Sequence, residues 1–291
     1  MALAIGLRIP REIWAQGIES VAPWARSNGL GSLDLPNPDA SAVEILRRES
    51  LVLGSINAAG TKDLLSRDPE RQQKGFAAWV ERIDQAAAVG GKVLFSVLSP
   101  AEPMPRRDSL ELWKQVFPPV VEHLEARGVS LAVEGWPGPF PHYANLGTTP
   151  EVLRAMFKHC PSSNFGLCYD PSHLVRLGID YLRFLDEFGD RVRHCHGKDT
   201  EIMATGLYDY GHLPAVLDKV PANSEGYWRY CVPGDGVIDW ERVAFRLELH
   251  GYTGPIAIEL EDHRFGGGRG SREQQQAGVL KAVRHLARVT A

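Results

Sequence analysis

Four apolar runs in the second half of the chain each stop at a group that can bind a proton or a metal. Leu131-Ala132-Val133 leads to Glu134, and Phe165-Gly166-Leu167-Cys168-Tyr169 leads to Asp170. The run RVRHCHGKD (191–199) carries His196, and Ile256-Ala257-Ile258 leads to Glu259. Three carboxylates brought together in a half-dry cavity repel one another and take up protons unless a cation neutralises them. One divalent metal ion held by Glu134, Asp170, His196 and Glu259 resolves the conflict. The donor set is mostly hard oxygen, which suits Mn²⁺ first and Mg²⁺ or Co²⁺ as alternatives, rather than a structural zinc site built on sulfur or several imidazoles.

Such convergence needs a scaffold that brings consecutive strand ends to one face. The chain has 291 residues, which allows one large α/β barrel or two small domains. Short apolar runs alternate with amphipathic ones throughout. Strands are expected at 2–9, 32–36, 51–58, 92–99, 130–136, 164–170, 191–199 and 255–262. Helices are expected at 11–28, 40–49, 69–89, 109–127, 149–159, 179–188, 239–252 and 272–288. Pro118 and Pro119 predict a kink inside the fourth of these helices. Strict alternation implies a parallel sheet, and eight units in fewer than 300 residues imply closure into a single-domain (β/α)₈ TIM barrel spanning 1–291. An open doubly wound sheet would more often carry a glycine-rich turn after its first strand, whereas the turn here reads IPREIW. In a barrel of this kind the chemistry lies at the C-terminal ends of the strands, where all four candidate ligands fall. The irregular stretch at 200–236 is too long for a plain connection and is read as a lid-like insertion.

Composition narrows the class. A formal charge of −4, with no basic block, argues against a nucleic-acid partner. The first residues, MALAIGLRIPREIW, lack the basic start and long apolar core of a signal peptide, and no stretch reaches the ~18 apolar residues of a membrane span. A cytoplasmic protein without a membrane partner is the expectation. Cys160, Cys168, Cys195 and Cys231 form no CxxC pair and are expected as reduced, buried thiols.

The motifs LAVEGW, GLCYDPSH, HCHGKD and IAIELED resemble the xylose isomerase-like barrel superfamily of sugar phosphate isomerases and epimerases, with all four ligand positions matching in order. The resemblance implies a divalent-metal-dependent isomerase or epimerase acting on a keto sugar through an enediolate. It also implies that Glu134 and Glu259 double as the acid/base pair. Physical chemistry agrees with such roles, because a Lewis acid on a carbonyl oxygen stabilises the charge that develops as the neighbouring C–H ionises. Two carboxylates on opposite sides of a planar intermediate are what epimerisation requires. The resemblance further points to His173 and Lys198, and to Trp136 in LAVEGW, as substrate-binding residues for a small-molecule sugar, and to a homo-oligomeric assembly.

One departure stands out. Ketohexose epimerases carry Gly-Glu and an arginine shortly after the metal histidine, whereas this chain reads His196-Gly197-Lys198-Asp199-Thr200. The insertion instead ends in GYWRYCVPGDGVIDW (226–240), which resembles a subset acting on 3-keto sugars and 3-keto glycosides. That subset includes lyases (deglycosidases) that expel an aglycone, and this is the alternative activity. The same resemblance makes His142 a candidate base. Trp228, Arg229 and Tyr230 become a candidate lid over the sugar, with Arg264 as a further substrate contact. Abasic-site endonucleases share the barrel but need additional histidines after the third and fourth strands, where this chain has SINAAG and VLSPAE.

Overall fold

A computed structural model describes residues 3–138, 143–267 and 269–290. Eight strands close into a parallel barrel: β1 (Ile5–Arg8), β2 (Ser32–Leu35), β3 (Val52–Asn57), β4 (Val93–Ser96), β5 (Ser130–Glu134), β6 (Phe165–Tyr169), β7 (Val192–Gly197) and, after two further strands, β10 (Ile256–Glu259). Around the ring they run β1, β10, β7, β6, β5, β4, β3, β2. The expected (β/α)₈ architecture is therefore the one observed.

Period-two alternation along each strand sorts the side chains between two environments. In β5, Leu131 and Val133 point outward into the layer shared with the helices, while Ala132 and Glu134 point into the barrel. Leu131 and Val133 are fully buried, and each such burial contributes about 1.5–3 kcal/mol. The same parity sends Gly166, Cys168 and Asp170 inward from β6, and His194 and His196 from β7. Ile256 and Ile258 of β10 join the outer core. The strand register then sets neighbours at the mouth: Glu134 stands beside Cys168, His196 beside Ala257, and Arg8 between Glu259 and Asp34.

Two predicted helices are broken. The helix expected over 11–28 is divided into Arg11–Trp14 and Ile18–Ser27 by Gly17, whose φ of 77° is open to glycine and not to the residues around it. The helix expected over 109–127 is two segments, Arg106–Val116 and Pro118–Arg127, divided at Phe117 because the prolines cannot donate into the preceding turn. The helix Pro171–Arg176 was not anticipated, although Asp170-Pro171-Ser172 carries a cap residue followed by proline at the first helical position.

The insertion is ordered by a small antiparallel hairpin, β8 (Asp199–Ile202) with β9 (Trp228–Cys231), separated by the helix Ala204–Tyr210. Gly206 permits this packing, since a Cβ there would lie 2.0 Å from the Gly226 carbonyl oxygen. Asp199 ties the hairpin to the barrel. Its carboxylate accepts from the backbone N–H of Thr200, Gly234 and Ile238 at 2.8, 3.0 and 3.1 Å, and from Trp240 Nε1 at 3.1 Å. All four cysteines are free and buried, as the composition suggested.

Removing the Asp199 carboxylate strands several buried donors at once. Asp199→Ala is expected to destabilise the fold by about 3 kcal/mol, read as a lower denaturation midpoint in urea, with Asp199→Asn losing less. An unchanged midpoint would contradict this account of the insertion.

Candidate active site

The four strand-end groups meet at the barrel mouth. His196 Nδ1 lies 2.7 Å from Glu134 Oε1, 3.5 Å from Glu259 Oε2 and 3.9 Å from Asp170 Oδ2. One ligand atom from each of the four residues falls within 4.8 Å of every other. Glu134, Asp170 and His196 are buried, and Glu259 is half-buried.

Local structure explains the aim of Asp170. As cap of the helix Pro171–Arg176, it spends Oδ1 on the backbone N–H and hydroxyl of Ser172, at 2.9 and 2.6 Å. Oδ2 is thereby turned to the mouth. It is buried there without a hydrogen bond among the described residues, as is His196 Nε2. Lys198 Nζ stands 3.1 Å from Asp170 Oδ2 but out of line for a hydrogen bond. An oxygen-rich set of converging buried donors, one of them unpaired, fits a hard divalent cation.

Cations of the chain itself surround the carboxylates. Lys198 Nζ lies 2.5 Å from Glu259 Oε2 and 3.0 Å from Glu261 Oε2, and its side chain is 1% exposed. Arg8 Nε is 3.1 Å from Glu259 Oε1, and its guanidinium lies over the Phe95 ring, 4.3 Å from the centroid. Burial alone would push the Glu259 carboxyl up. Lys198, His196 and Arg8 outweigh it and hold this group well below the usual carboxylate range. Glu134 is likewise pushed up by burial and by Glu259, yet the His173 imidazole beside it and the hydrogen bond with His196 leave it lowered. Burial lowers the His196 pKa, but Cys168, Glu259 and the Glu134 hydrogen bond together raise it well above the ordinary imidazole value.

A cavity of about 190 Å³ opens over this cluster, lined by Arg8, Phe95, Val97, Glu134, Trp136, His173, Lys198, Glu259 and Glu261. A second, of about 270 Å³, shares Arg8 as a wall and is bounded also by Trp14, Asp34, Pro36 and Asn57. Trp136, His173 and Lys198, expected as substrate contacts, thus face the first cavity. Arg229 and Arg264 do not. Arg229 is paired with Glu201 and with Asp262, the latter at 3.4 Å, and Arg264 with Asp235 and with Asp262, the latter at 2.9 Å. Both are held by buried or half-buried carboxylates, and neither is among the residues that line the cavity over the cluster. The expected roof of Trp228, Arg229 and Tyr230 is also displaced. All three are buried, with Trp228 packed 4.1 Å from the Arg176 guanidinium and 4.5 Å from the Tyr230 ring. His142 lies outside the described residues.

Sequence reasoning missed Arg8, Glu261 and the pair beneath the ligands, Asp34 and His194. Arg8 ends β1 as Glu134 ends β5, so the same strand-end logic finds it. Asp34 Oδ2 is 3.0 Å from His194 Nε2, and Asp34 Oδ1 accepts from Ser55 N at 2.7 Å. The His194 ring stands nearly perpendicular to His196, 5.2 Å between centroids. It forms the layer on which the His196 imidazole rests.

Among known proteins, the chain is 33% identical over 144 residues to inosose dehydratase of Geobacillus thermodenitrificans, a region covering 49% of this chain and 46% of that one. The matched region thus spans about half the length of this curated relative. Two solved structures share the fold along nearly the whole chain, each at 14% identity. D-psicose 3-epimerase with D-tagatose from Clostridium cellulolyticum H10 superposes with a TM-score of 0.72, covering 99% of both chains. The 3-keto-D-glucoside 4-epimerase of E. coli superposes with a TM-score of 0.68, covering 99% of this chain and 98% of that one. The xylose isomerase-like TIM barrel family model matches residues 11–289, and with the closed barrel and its ordered strand-end groups this establishes that the chain belongs to that family.

Proposed function

We propose that this protein is a divalent-metal-dependent isomerase or epimerase of a keto sugar or keto sugar derivative, working by proton transfer at a carbon next to a carbonyl. The observation that carries the reading is the pair Glu134 and Glu259, both within 3.5 Å of His196 Nδ1. They rise from β5 and β10, which are separated around the ring by β6 and β7, so they approach the centre from different sides. Glu134, Asp170, His196 and Glu259 would hold the metal ion, Mn²⁺ being the first choice for this donor set. When bound, the ion would polarise the substrate carbonyl and stabilise charge on its oxygen.

The chain's own groups divide the remaining work. One glutamate removes the carbon-bound proton, and the other returns one to the opposite face of the planar enediolate. Lys198 and Arg8 keep Glu259 ionised and offer donors at the cavity wall. Trp136 and Phe95 line the cavity and supply apolar surface against which the C–H groups of a sugar pack. The cavity sharing Arg8 gives room for a substituent on the reacting ring.

A second reading, elimination from the neighbouring carbon, is favoured by the sequence similarity to an inosose dehydratase. It uses the same proton abstraction and lets a leaving group depart before reprotonation, with Lys198 and His173 as the available acids.

Two outcomes follow. Titration of the metal-free protein with Mn²⁺ raises its melting temperature, about 2.7 kcal/mol of stabilisation accruing at a hundredfold excess over Kd; Asp170→Ala abolishes the shift. Because His196 holds its proton well above the normal pKa, binding releases protons and weakens as pH falls. Calorimetry in buffers of different ionisation enthalpy reads that release, and buffer-independent heats would argue against it. In the second experiment, 3-keto sugars and 3-keto glucosides are incubated with the metal-loaded protein in deuterated water. Deuterium uptake with the carbon skeleton intact marks the epimerase, and loss of water or aglycone marks the lyase. Glu134→Gln or Glu259→Gln is expected to lower either rate at least about 100-fold. A variant retaining full turnover removes that residue from proton transfer.

A further inference from the structure

We infer that Tyr230, in strand β9 of the insertion, is a positioning residue: its hydroxyl donates to His173 Nδ1 and so fixes the His173 proton on Nε2, which faces the cavity as a donor for a substrate oxygen. The last clause rests on the proposed function; the rest stands on geometry alone.

The hydroxyl of Tyr230 is 2.6 Å from His173 Nδ1 and 2.9 Å from Arg176 Nη1. A guanidinium can only donate, so Arg176 places one hydrogen on the tyrosine oxygen. Arg176 is held in that pose by Glu225, 2.9 Å from Nη2, and by the Trp228 ring. Tyr230 is buried, and its hydroxyl has no further hydrogen-bond partner among the described residues. Were His173 protonated on Nδ1, the tyrosine oxygen would receive two hydrogens and its own would have no acceptor. With the proton on Nε2, each of the two contacts carries one hydrogen and none is stranded.

The far side of the ring agrees. Nε2 lies 3.4 Å from Asp170 Oδ2 and 3.7 Å from Glu134 Oε2, both acceptors. These distances are too long for good hydrogen bonds, which leaves the N–H available. Lys198 Nζ is 3.5 Å from Nε2, at the outer limit for a hydrogen bond, and its hydrogens have nearer, charged acceptors in Glu259 at 2.5 Å and Glu261 at 3.0 Å. The hairpin thus acts on the site from behind: it orients a histidine that touches the cavity and contributes no wall of its own there.

The test is long-range proton–nitrogen NMR on protein carrying isotope-labelled histidine, at one neutral pH, metal-free and with diamagnetic Mg²⁺ added. His173→Gln assigns the resonances. The wild-type ring is expected to carry its proton on Nε2 and to leave Nδ1 as the acceptor in both states. Tyr230→Phe, which keeps the ring packing, is expected to shift it toward the Nδ1-protonated or a mixed form. A wild-type ring protonated on Nδ1, in either state, overturns the inference, and so does an unchanged ring in Tyr230→Phe. Should that variant fail to fold, Arg176→Gln frees the tyrosine oxygen to accept from Nδ1 and is expected to shift the ring the same way. If a keto sugar is turned over, Tyr230→Phe raises its KM about tenfold and changes kcat by less than about threefold. An unchanged KM removes the substrate-donor role. Absence of any keto-sugar turnover counts against the proposed function and leaves the NMR result to decide the tautomer.

Discussion

Three carboxylates, two buried and one half-buried, meet within a few ångströms of one another at the barrel mouth. Unpaired, each would cost several kcal/mol to keep ionised away from water. The mouth is built around meeting that cost. Lys198 and Arg8 bracket Glu259, His196 stands between Glu134 and Glu259, and Ser172 takes one oxygen of Asp170. The other oxygen of Asp170 has no hydrogen-bond partner among the described residues, in a place where four groups that could hold a divalent cation converge. A divalent cation held there would compete with protons for the same atoms, which would couple charge state to binding.

The barrel serves this electrostatic need through parity. Along β5, β6, β7 and β10, every second residue faces inward, so one strand contributes both a packing group and a chemical one. Ala132 beneath Glu134 and Cys168 beneath Asp170 are small enough to leave the interior to Asp34, His194 and Phe95. The four strand-end groups therefore rest on the hydrogen-bonded pair Asp34 and His194, which limits the ways in which the His196 ring can turn.

The insertion does a different job from the one its position suggested. Its aromatic and cationic residues read as a roof over a sugar. They are instead anchored downward, Arg229 to Asp262, and Trp228 and Tyr230 to Arg176. The reason is charge. Asp199 and Asp262 are buried carboxylates, and the nearest donors that can satisfy them lie in the hairpin and the loop after it. A side chain drawn into such a pair is removed from the mouth.

Much of this was legible from residue order. The alternation of apolar runs specified eight strand–helix units, and the polar residue ending each of four runs marked the groups that meet at the mouth, because strand direction in a parallel barrel sends every C-terminal end to one face. The Asp-Pro-Ser cap after β6 was equally legible, though it was passed over. What sequence alone could not decide was which long cations would face the cavity. Lys198, Arg229 and Arg264 all sit near strand ends, and their lengths let each reach several carboxylates. Only the packed chain shows Lys198 turned toward Glu259 and the two arginines turned toward Asp262. The local pattern of a chain determines its periodicity and thus its fold, while the pairing of buried charges depends on distances between segments far apart in sequence, and those exist only once the barrel has closed.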